Sequence, residues 1–119
     1  MKNAPMPLAI GIDIVELDRV HNIRFLRRFA EYFLTPAELR FFEKDIDPVR
    51  FIASRFAAKE AMIKAFPGLL KPHEFEIVKH GVKPSVKFLA PAIRKRYRAV
   101  TSISHSTHYA AGYAMIMER

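Results

Sequence analysis

The strongest constraint on the fold is the segment framed by Asp47-Pro48 and Pro67-Gly68. Asp is a preferred N-cap residue and Pro is favoured at the first helical position, whereas Pro-Gly does not continue a helix. The segment between these signals therefore predicts one long helix over about residues 48–66. It is the longest helix that the sequence predicts.

Shorter elements precede and follow this helix. Residues 8–15 form an apolar run rich in Ile that indicates a buried strand, and residues 19–32 have a helical apolar pattern. A capping box at residues 35–38 predicts a helix to about Lys44. After the long helix the apolar period changes to two, which is typical of strands. These later elements are strands near 75–77, 86–88, 100–105 and 109–117, and a short basic helix or turn at 91–97.

The predicted fold class is therefore α+β, with a mostly antiparallel sheet packed against the long helix. The chain has 119 residues, half of them apolar, which predicts a single domain over residues 1–119. The sequence has no Cys, which excludes disulfides, thiolate nucleophiles and Cys-based zinc sites. We expect a cytoplasmic protein without a membrane partner, because no apolar run reaches the roughly 18 residues of a membrane span and residues 1–7 lack signal-peptide features.

Two carboxylates lie in segments that otherwise predict burial. Glu60 falls about 20° from Val49, inside the apolar stripe of the long helix, and Asp13 lies in the first strand. A buried ionised carboxylate needs a partner. For Glu60 this could be an ion pair with Lys64, four residues later, and for Asp13 a turn or N-cap role. Alternatively the two carboxylates bind one hard cation, and two oxygen ligands fit Mg²⁺ better than zinc.

Cationic side chains accompany these carboxylates. Arg55 and Lys59 flank Glu60 and, with Lys64, predict either a phosphate-binding group or a solvated basic face. The net charge of +8 favours an anionic partner. His105 lies in the serine-rich strand at residues 102–106, but a Ser/His hydrolase is disfavoured because no Gly-x-Ser-x-Gly motif is present. His105 therefore either donates a hydrogen bond to a phosphate or lies on the sheet edge without a role.

Three segments, in this order, resemble one family: Gly11-Ile12-Asp13, Arg55-Phe56-Ala57-Ala58-Lys59-Glu60-Ala61 with Lys64, and Ser102-Ile103-Ser104-His105-Ser106. Together they are similar to the holo-acyl-carrier-protein synthases, the small 4′-phosphopantetheinyl transferases, over nearly the whole chain. The resemblance implies an enzyme of fatty acid biosynthesis. It would transfer phosphopantetheine from coenzyme A to a serine of an acyl carrier protein and release adenosine 3′,5′-bisphosphate.

The resemblance also implies roles for individual residues. Asp13 and Glu60 match Mg²⁺ ligands, Glu60 or a metal-bound water is the candidate base, and Lys64 matches a lysine at the pyrophosphate. The coenzyme A contacts that it favours are Arg55, Lys64, Lys83, Pro84 and His105. Because acyl carrier proteins are acidic, we expect docking on a group of arginines, namely Arg19, Arg24, Arg27 and Arg28. The family is typically a homotrimer with active sites between subunits.

Two short segments depart from the family pattern. Pro67-Gly68-Leu69 stands where a Gly-Thr-Gly type of turn is usual, and Gly81-Val82-Lys83-Pro84 is one residue longer than the usual Gly-Lys-Pro.

Two other functions remain open. One alternative is a basic nucleic-acid-binding module, which the charge favours. However, no predicted strand has aromatic residues alternating with Lys or Arg, so we expect no nucleic acid. The other alternative is an inactive relative that docks carrier proteins without modifying them.

Overall fold

The computed structural model describes residues 7–119, without the side chains of residues 7 and 80. In chain order its elements are β1 (Pro7–Glu16), α1 (Leu17–His21), α2 (Leu26–Phe33), α3 (Pro36–Lys44), α4 (Pro48–Ala65), a 3₁₀ turn (Pro72–Glu74), β2 (Phe75–His80), β3 (Lys83–Phe88), α5 (Pro91–Arg96), β4 (Tyr97–His105) and β5 (Tyr109–Glu118). The strands form two antiparallel sheets, β1-β5-β4 and β2-β3. The predicted α+β class is confirmed. Within these residues no helix has the length and apolar character needed to cross a membrane.

The predicted starts of α3 and α4 are confirmed in atomic detail. The Thr35 hydroxyl accepts a hydrogen bond from the Glu38 amide, and the Glu38 carboxylate accepts one from the Thr35 amide. Asp47 caps α4 by accepting a hydrogen bond from the Arg50 amide at 3.2 Å. These local bonds satisfy amide groups that have no partner inside the helix, so both helices begin where the sequence predicts.

Helix α4 contacts the three-stranded sheet at a separation that only small residues permit. A Cβ atom added to Gly11 on β1 would lie 2.1 Å from the Ala61 carbonyl oxygen. One added to Gly112 on β5 would lie 2.5 Å from the Ala57 carbonyl carbon. The backbones of β1 and β5 therefore pack directly against the middle of α4, and this contact positions the candidate site.

The apolar stripe predicted on α4 is only partly buried. Glu60 in its middle is half-buried, whereas Ile52 and Ala53 of the same stripe are fully buried. The sheet covers one side of α4, while the other helices and the β2–β3 hairpin cover much of the rest. The fully buried positions are Ile52, Ala53, Ala57, Ala58, Ala61 and Met62. A helix enclosed on several sides does not need a single apolar stripe.

Two predictions for the first third of the chain are corrected. Residues 19–32 form parts of two helices, α1 and α2, rather than one, because the chain turns between them and buries Val20 from α1 and Ala30 from α2. The first strand is confirmed, but it is buried on one face only. Ile12, on its outer face, is 69% exposed, because no described element covers that side of the sheet.

Candidate functional site

Asp13 lies on the face of β1 that packs against α4. Its Oδ1 atom accepts a hydrogen bond from Lys64 Nζ at 2.9 Å, and Lys64 also donates to the Ile12 carbonyl at 3.3 Å. The strand register places Asp13 opposite Gly112, which is the residue in close contact with the helix. Because Gly112 has no side chain, β5 and the neighbouring β1 lie close to α4, and the Asp13 carboxylate reaches the helix.

Glu60 lies one helical turn before Lys64, so the two side chains are neighbours on α4. The ion pair between them, one of the two alternatives for Glu60, does not form, because Lys64 pairs with Asp13. Glu60 is half-buried and has no hydrogen bond or ion pair with any other described residue. One carboxylate therefore pairs with the ammonium while another, one turn away, is free to accept a proton or a cation.

This pair of carboxylates is not a complete protein cage for a metal. Among residues 7–119 no group of three or more His, Cys, Asp or Glu side chains is placed to hold an ion. Asp13 and Glu60 alone leave several coordination positions to water and ligand oxygens. Mg²⁺ commonly binds to proteins in this way, through one or two carboxylates together with substrate phosphates.

A cavity of about 740 Å³ lies beside the first half of α4. Its walls come from the α3–α4 connection, the β2–β3 hairpin and the end of β4. Three of the predicted coenzyme A contacts, Arg55, Pro84 and His105, line the cavity together. Lys83 is exposed at the start of β3 and is not part of the lining, and Lys64 lies outside it beside Asp13.

The cavity contains cations that sequence reasoning missed. Lys44 ends α3, Arg50 lies in the first turn of α4, and Lys79 lies on β2. Their positions close to predicted helix caps and to the hairpin turn were visible in the sequence, but their convergence was not. Two acidic residues, Asp45 and Asp47, also line the cavity. Four cations therefore face two carboxylates, and the cavity suits an anionic ligand.

Arg55 is the most deeply buried of these cations. Arg55 is 6% exposed, its guanidinium lies 4.7 Å from the centre of the Phe51 ring, and its Nε has no hydrogen-bond partner in the part of the chain that the structure describes. Burial lowers the pKa of Arg55, an effect that the charges of Glu38 and Asp45 oppose without pairing with it. A buried guanidinium without a directly paired anion is costly, so an anion in the cavity would stabilise it.

Lys59 does not belong to the cationic group that the sequence predicted. It is 1% exposed, and its Nζ contacts Glu38 Oε1 at 2.9 Å and donates to the Pro72 and Phe75 carbonyls at 2.6 Å each. Burial lowers its pKa, and the Glu38 carboxylate opposes that effect. Both earlier interpretations, phosphate binding and a solvated face, are wrong for Lys59. Adjacent helical residues differ by about 100°, and Lys59 faces α3 and β2 rather than the site.

The arginines of α1, of α2 and of the connection between them form an exposed surface. Arg24 and Arg28 lie 5.3 and 5.7 Å from the centre of the Phe25 ring, which is 59% exposed. Arg27 pairs with Glu31 and Glu43, so much of its charge is locally balanced. Arg19 is exposed on α1. This side of the protein therefore combines an exposed aromatic ring with unbalanced positive charge.

The whole chain is similar to known proteins. A family model described as the 4′-phosphopantetheinyl transferase superfamily matches residues 9–114. The holo-acyl-carrier-protein synthase of Chlorobium limicola is 38% identical, with 92% of this chain and 93% of that protein covered. The Geobacillus kaustophilus enzyme of the same name is 42% identical, with 93% and 89% covered.

Solved structures match over the same length. The Bacillus anthracis holo-acyl-carrier-protein synthase in complex with CoA (3′,5′-ADP) has a TM-score of 0.77 and 30% identity, and 97% of this chain and 98% of that chain are covered. The Neisseria meningitidis synthase has a TM-score of 0.78 and 31% identity, with 96% and 99% covered. The similarity therefore extends over the fold as well as the short motifs.

Proposed function

The chain belongs to the 4′-phosphopantetheinyl transferase superfamily, and on that premise we propose that it acts as a Mg²⁺-dependent holo-acyl-carrier-protein synthase. In this reaction a serine oxygen of the carrier protein bonds to the phosphorus that carries pantetheine. The bond from that phosphorus to the bridging oxygen breaks, and adenosine 3′,5′-bisphosphate leaves. The observation that carries the assignment is the contact of Asp13 with Lys64, one helical turn from Glu60, on the same helix whose first half lines a cavity rich in cations.

Asp13 and Glu60 fit a magnesium site. Both are carboxylates, they approach the same part of α4, and Glu60 has no competing partner among the residues described. When bound, Mg²⁺ would offset the charge of the diphosphate and help to orient it. We assign both side chains as its ligands.

The residues of the chain would supply the remaining chemistry. Glu60 is the candidate base for the proton of the attacking serine, because no described protein group pairs with its carboxylate and a carboxylate has a second oxygen besides the one that would hold the metal. Lys64 is 55% exposed and would offset the negative charge that develops on the leaving phosphate. Attack on a diphosphate depends mainly on positioning and charge stabilisation, and these groups provide both.

The cavity is the proposed site for the nucleotide end of coenzyme A. Arg55 and Lys64 are nine residues apart on α4, so they lie about 13 Å apart along its axis and on opposite faces of the helix. Coenzyme A has a ribose phosphate for Arg55 and a separate diphosphate for Lys64, and a site between two subunits would let one ligand contact both residues. Ile46, which is fully exposed, and Val82 line the cavity and offer apolar contact to a base. His105 and Pro84 would complete the contacts, with Lys83 at the hairpin entrance.

We further propose that an acidic acyl carrier protein docks on the arginine surface. Arg24 and Arg28 hold exposed positive charge around the Phe25 ring, which offers an apolar anchor. Arg19 would add to the attraction, whereas Arg27 contributes less because it is already paired. Charges of this kind chiefly raise the rate of association.

The outer face of the three-stranded sheet supports assembly into a homotrimer. Four apolar residues of β1 are exposed on it: Leu8 by 47%, Ile10 by 63%, Ile12 by 69% and Ile14 by 66%. Val100 on β4 extends the same face and is 39% exposed. A contiguous apolar patch of this kind marks an interaction surface. The trimer, the cytoplasmic location and the role in fatty acid biosynthesis remain parts of this proposal.

Mass spectrometry tests the proposed activity directly. The protein is incubated with apo acyl carrier protein, coenzyme A and Mg²⁺, and the carrier is expected to gain the mass of one phosphopantetheine. A parallel reaction with EDTA should show no gain if the metal is required. An unmodified carrier that nevertheless co-purifies with the protein would indicate an inactive docking protein and contradict the proposal.

A further inference from the structure

A second unpartnered polar group lies beside Arg55 in the cavity wall. Ser54 is 6% exposed, it lines the cavity, and its Oγ has no hydrogen-bond partner within residues 7–119. A serine inside a helix commonly bonds the carbonyl four residues earlier, here that of Arg50, but this bond is not formed. The hydroxyl is therefore both dehydrated and unsatisfied in the free protein.

An unsatisfied buried hydroxyl is unfavourable at this position. Alanine would avoid the lost hydrogen bonds and has a higher helix propensity than serine. The helix interior around Ser54 thus offers no stabilising reason for a hydroxyl group. A partner that arrives with a ligand would supply the missing bond.

We propose that Ser54 is a ligand-binding residue, which donates a hydrogen bond to an oxygen of the ribose phosphate beside Arg55. The inference rests on the proposed function, because it assumes that the cavity takes the nucleotide of coenzyme A. Ser54 and Arg55 are adjacent on α4 and line the same cavity, and Ser54 Oγ and Arg55 Nε are both buried without a hydrogen-bond partner among the described residues. The serine hydroxyl can turn among its staggered positions without moving the helix.

The two acidic residues of the cavity have local partners, although the charge of Asp45 also acts on Arg55. Asp47 accepts from the Arg50 amide at 3.2 Å and pairs with the Arg50 side chain at 3.4 Å. Asp45 accepts from the Asp47 amide at 2.8 Å. A neutral donor next to a guanidinium would make the subsite selective for a phosphate group, since a hydroxyl adds a directed bond without further charge repulsion.

Calorimetric titration and thermal unfolding of Ser54→Ala together test this role. We expect the variant to bind adenosine 3′,5′-bisphosphate about tenfold more weakly than the wild type, as for a lost hydrogen bond to a charged group. Binding of adenosine 5′-monophosphate, which lacks the second phosphate, should change by less than about twofold. The free variant should unfold at a higher temperature, because the unpaired hydroxyl is gone. A residue with only a structural role would not give opposite effects on stability and binding.

The outcomes separate this inference from the proposed function. If the wild type binds the bisphosphate and Ser54→Ala binds it equally well, the role of Ser54 is refuted while the nucleotide site stands. A lower unfolding temperature for the free variant would also refute it, because it would mean that the hydroxyl already has a partner. If the wild type does not bind the bisphosphate, the nucleotide assignment of the cavity fails, and the role of Ser54 fails with it.

Discussion

Lys64 Nζ lies 2.9 Å from Asp13 Oδ1, although the two residues are 51 positions apart in the chain. This contact joins the first strand to the last turn of α4, next to the free carboxylate of Glu60. It explains why an intrahelical pair between Glu60 and Lys64 does not form. It also places the three groups proposed for catalysis on one part of the helix surface.

Asp13→Ala and Glu60→Ala should each reduce phosphopantetheine transfer to about 1% of the wild-type rate or less, since each removes a charged group from the reaction centre. The side chains are not part of the core, so circular dichroism should show an unchanged fold. The rate is measured by mass spectrometry of the carrier protein. Activity near the wild-type level in either variant would contradict the assignment of the metal ligands.

Lys59→Met should lower the free energy of unfolding by about 3–5 kcal/mol, because it leaves the buried Glu38 carboxylate without its counter-ion. Urea denaturation measures the loss. Lys64→Met is the matched control: Lys64 is largely exposed and its ion pair contributes at most about 1 kcal/mol. Equal losses in the two variants would contradict the structural role of Lys59.

The stability difference between the wild type and Lys59→Met should grow as the pH rises toward 10.5. Burial lowers the pKa of Lys59 below 10.5, the ordinary value for lysine. Between the lowered pKa and 10.5 the unfolded chain binds more protons than the folded protein. The free energy of unfolding of the wild type therefore increases with pH relative to that of the variant. Denaturation at about pH 8 and about pH 10 gives the two differences. If the difference instead decreases with pH, the folded protein binds the Lys59 proton more tightly than the unfolded chain does, which would contradict the prediction.

Gly112→Ala should destabilise the protein by about 1–3 kcal/mol or more, because the added Cβ meets backbone atoms of α4 that cannot move aside independently. Gly68→Ala provides the control, since a Cβ there would meet only the Phe66 ring, at 3.8 Å. Thermal unfolding compares the two. Because Gly112 lies opposite Asp13, the Gly112→Ala variant should also lose transfer activity even where it remains folded. Full activity in a folded Gly112→Ala variant would show that the close packing at Gly112 is not needed to position the site.

Ile12→Lys should dissociate the proposed trimer, because it places a charge on the uncovered face of the sheet. Ile46→Lys is the control, since Ile46 is also exposed but lies in the α3–α4 connection. Light scattering during gel filtration measures the mass of each. A wild-type protein that elutes as a monomer, or an Ile12→Lys variant that keeps the wild-type mass, would contradict this interface.

Much of the local structure was predictable because its causes are local. The capping box at Thr35 and the N-cap at Asp47 determine where α3 and α4 begin through bonds within a few residues. The break between α1 and α2 was missed because it arises from the way Val20 and Ala30 dock on the rest of the fold. Helical periodicity does not record where a chain turns to bury two short segments separately.

The residue types of the candidate site were recognisable in the sequence, since Asp13 and Glu60 are unusual in segments that predict burial and Arg55 belonged to the cationic group near Glu60. Their arrangement was decided only by tertiary structure, because it depends on glycine and alanine backbones that approach closely between strands and a helix far apart in the chain. The same applies to Lys59, whose charge resembled that of Arg55 until its neighbours were known. The chemistry of a side chain and the cap of a helix depend on a few neighbouring residues and can be predicted from the sequence. The counter-ion of a buried charge and the shape of a cavity depend on how distant segments pack together.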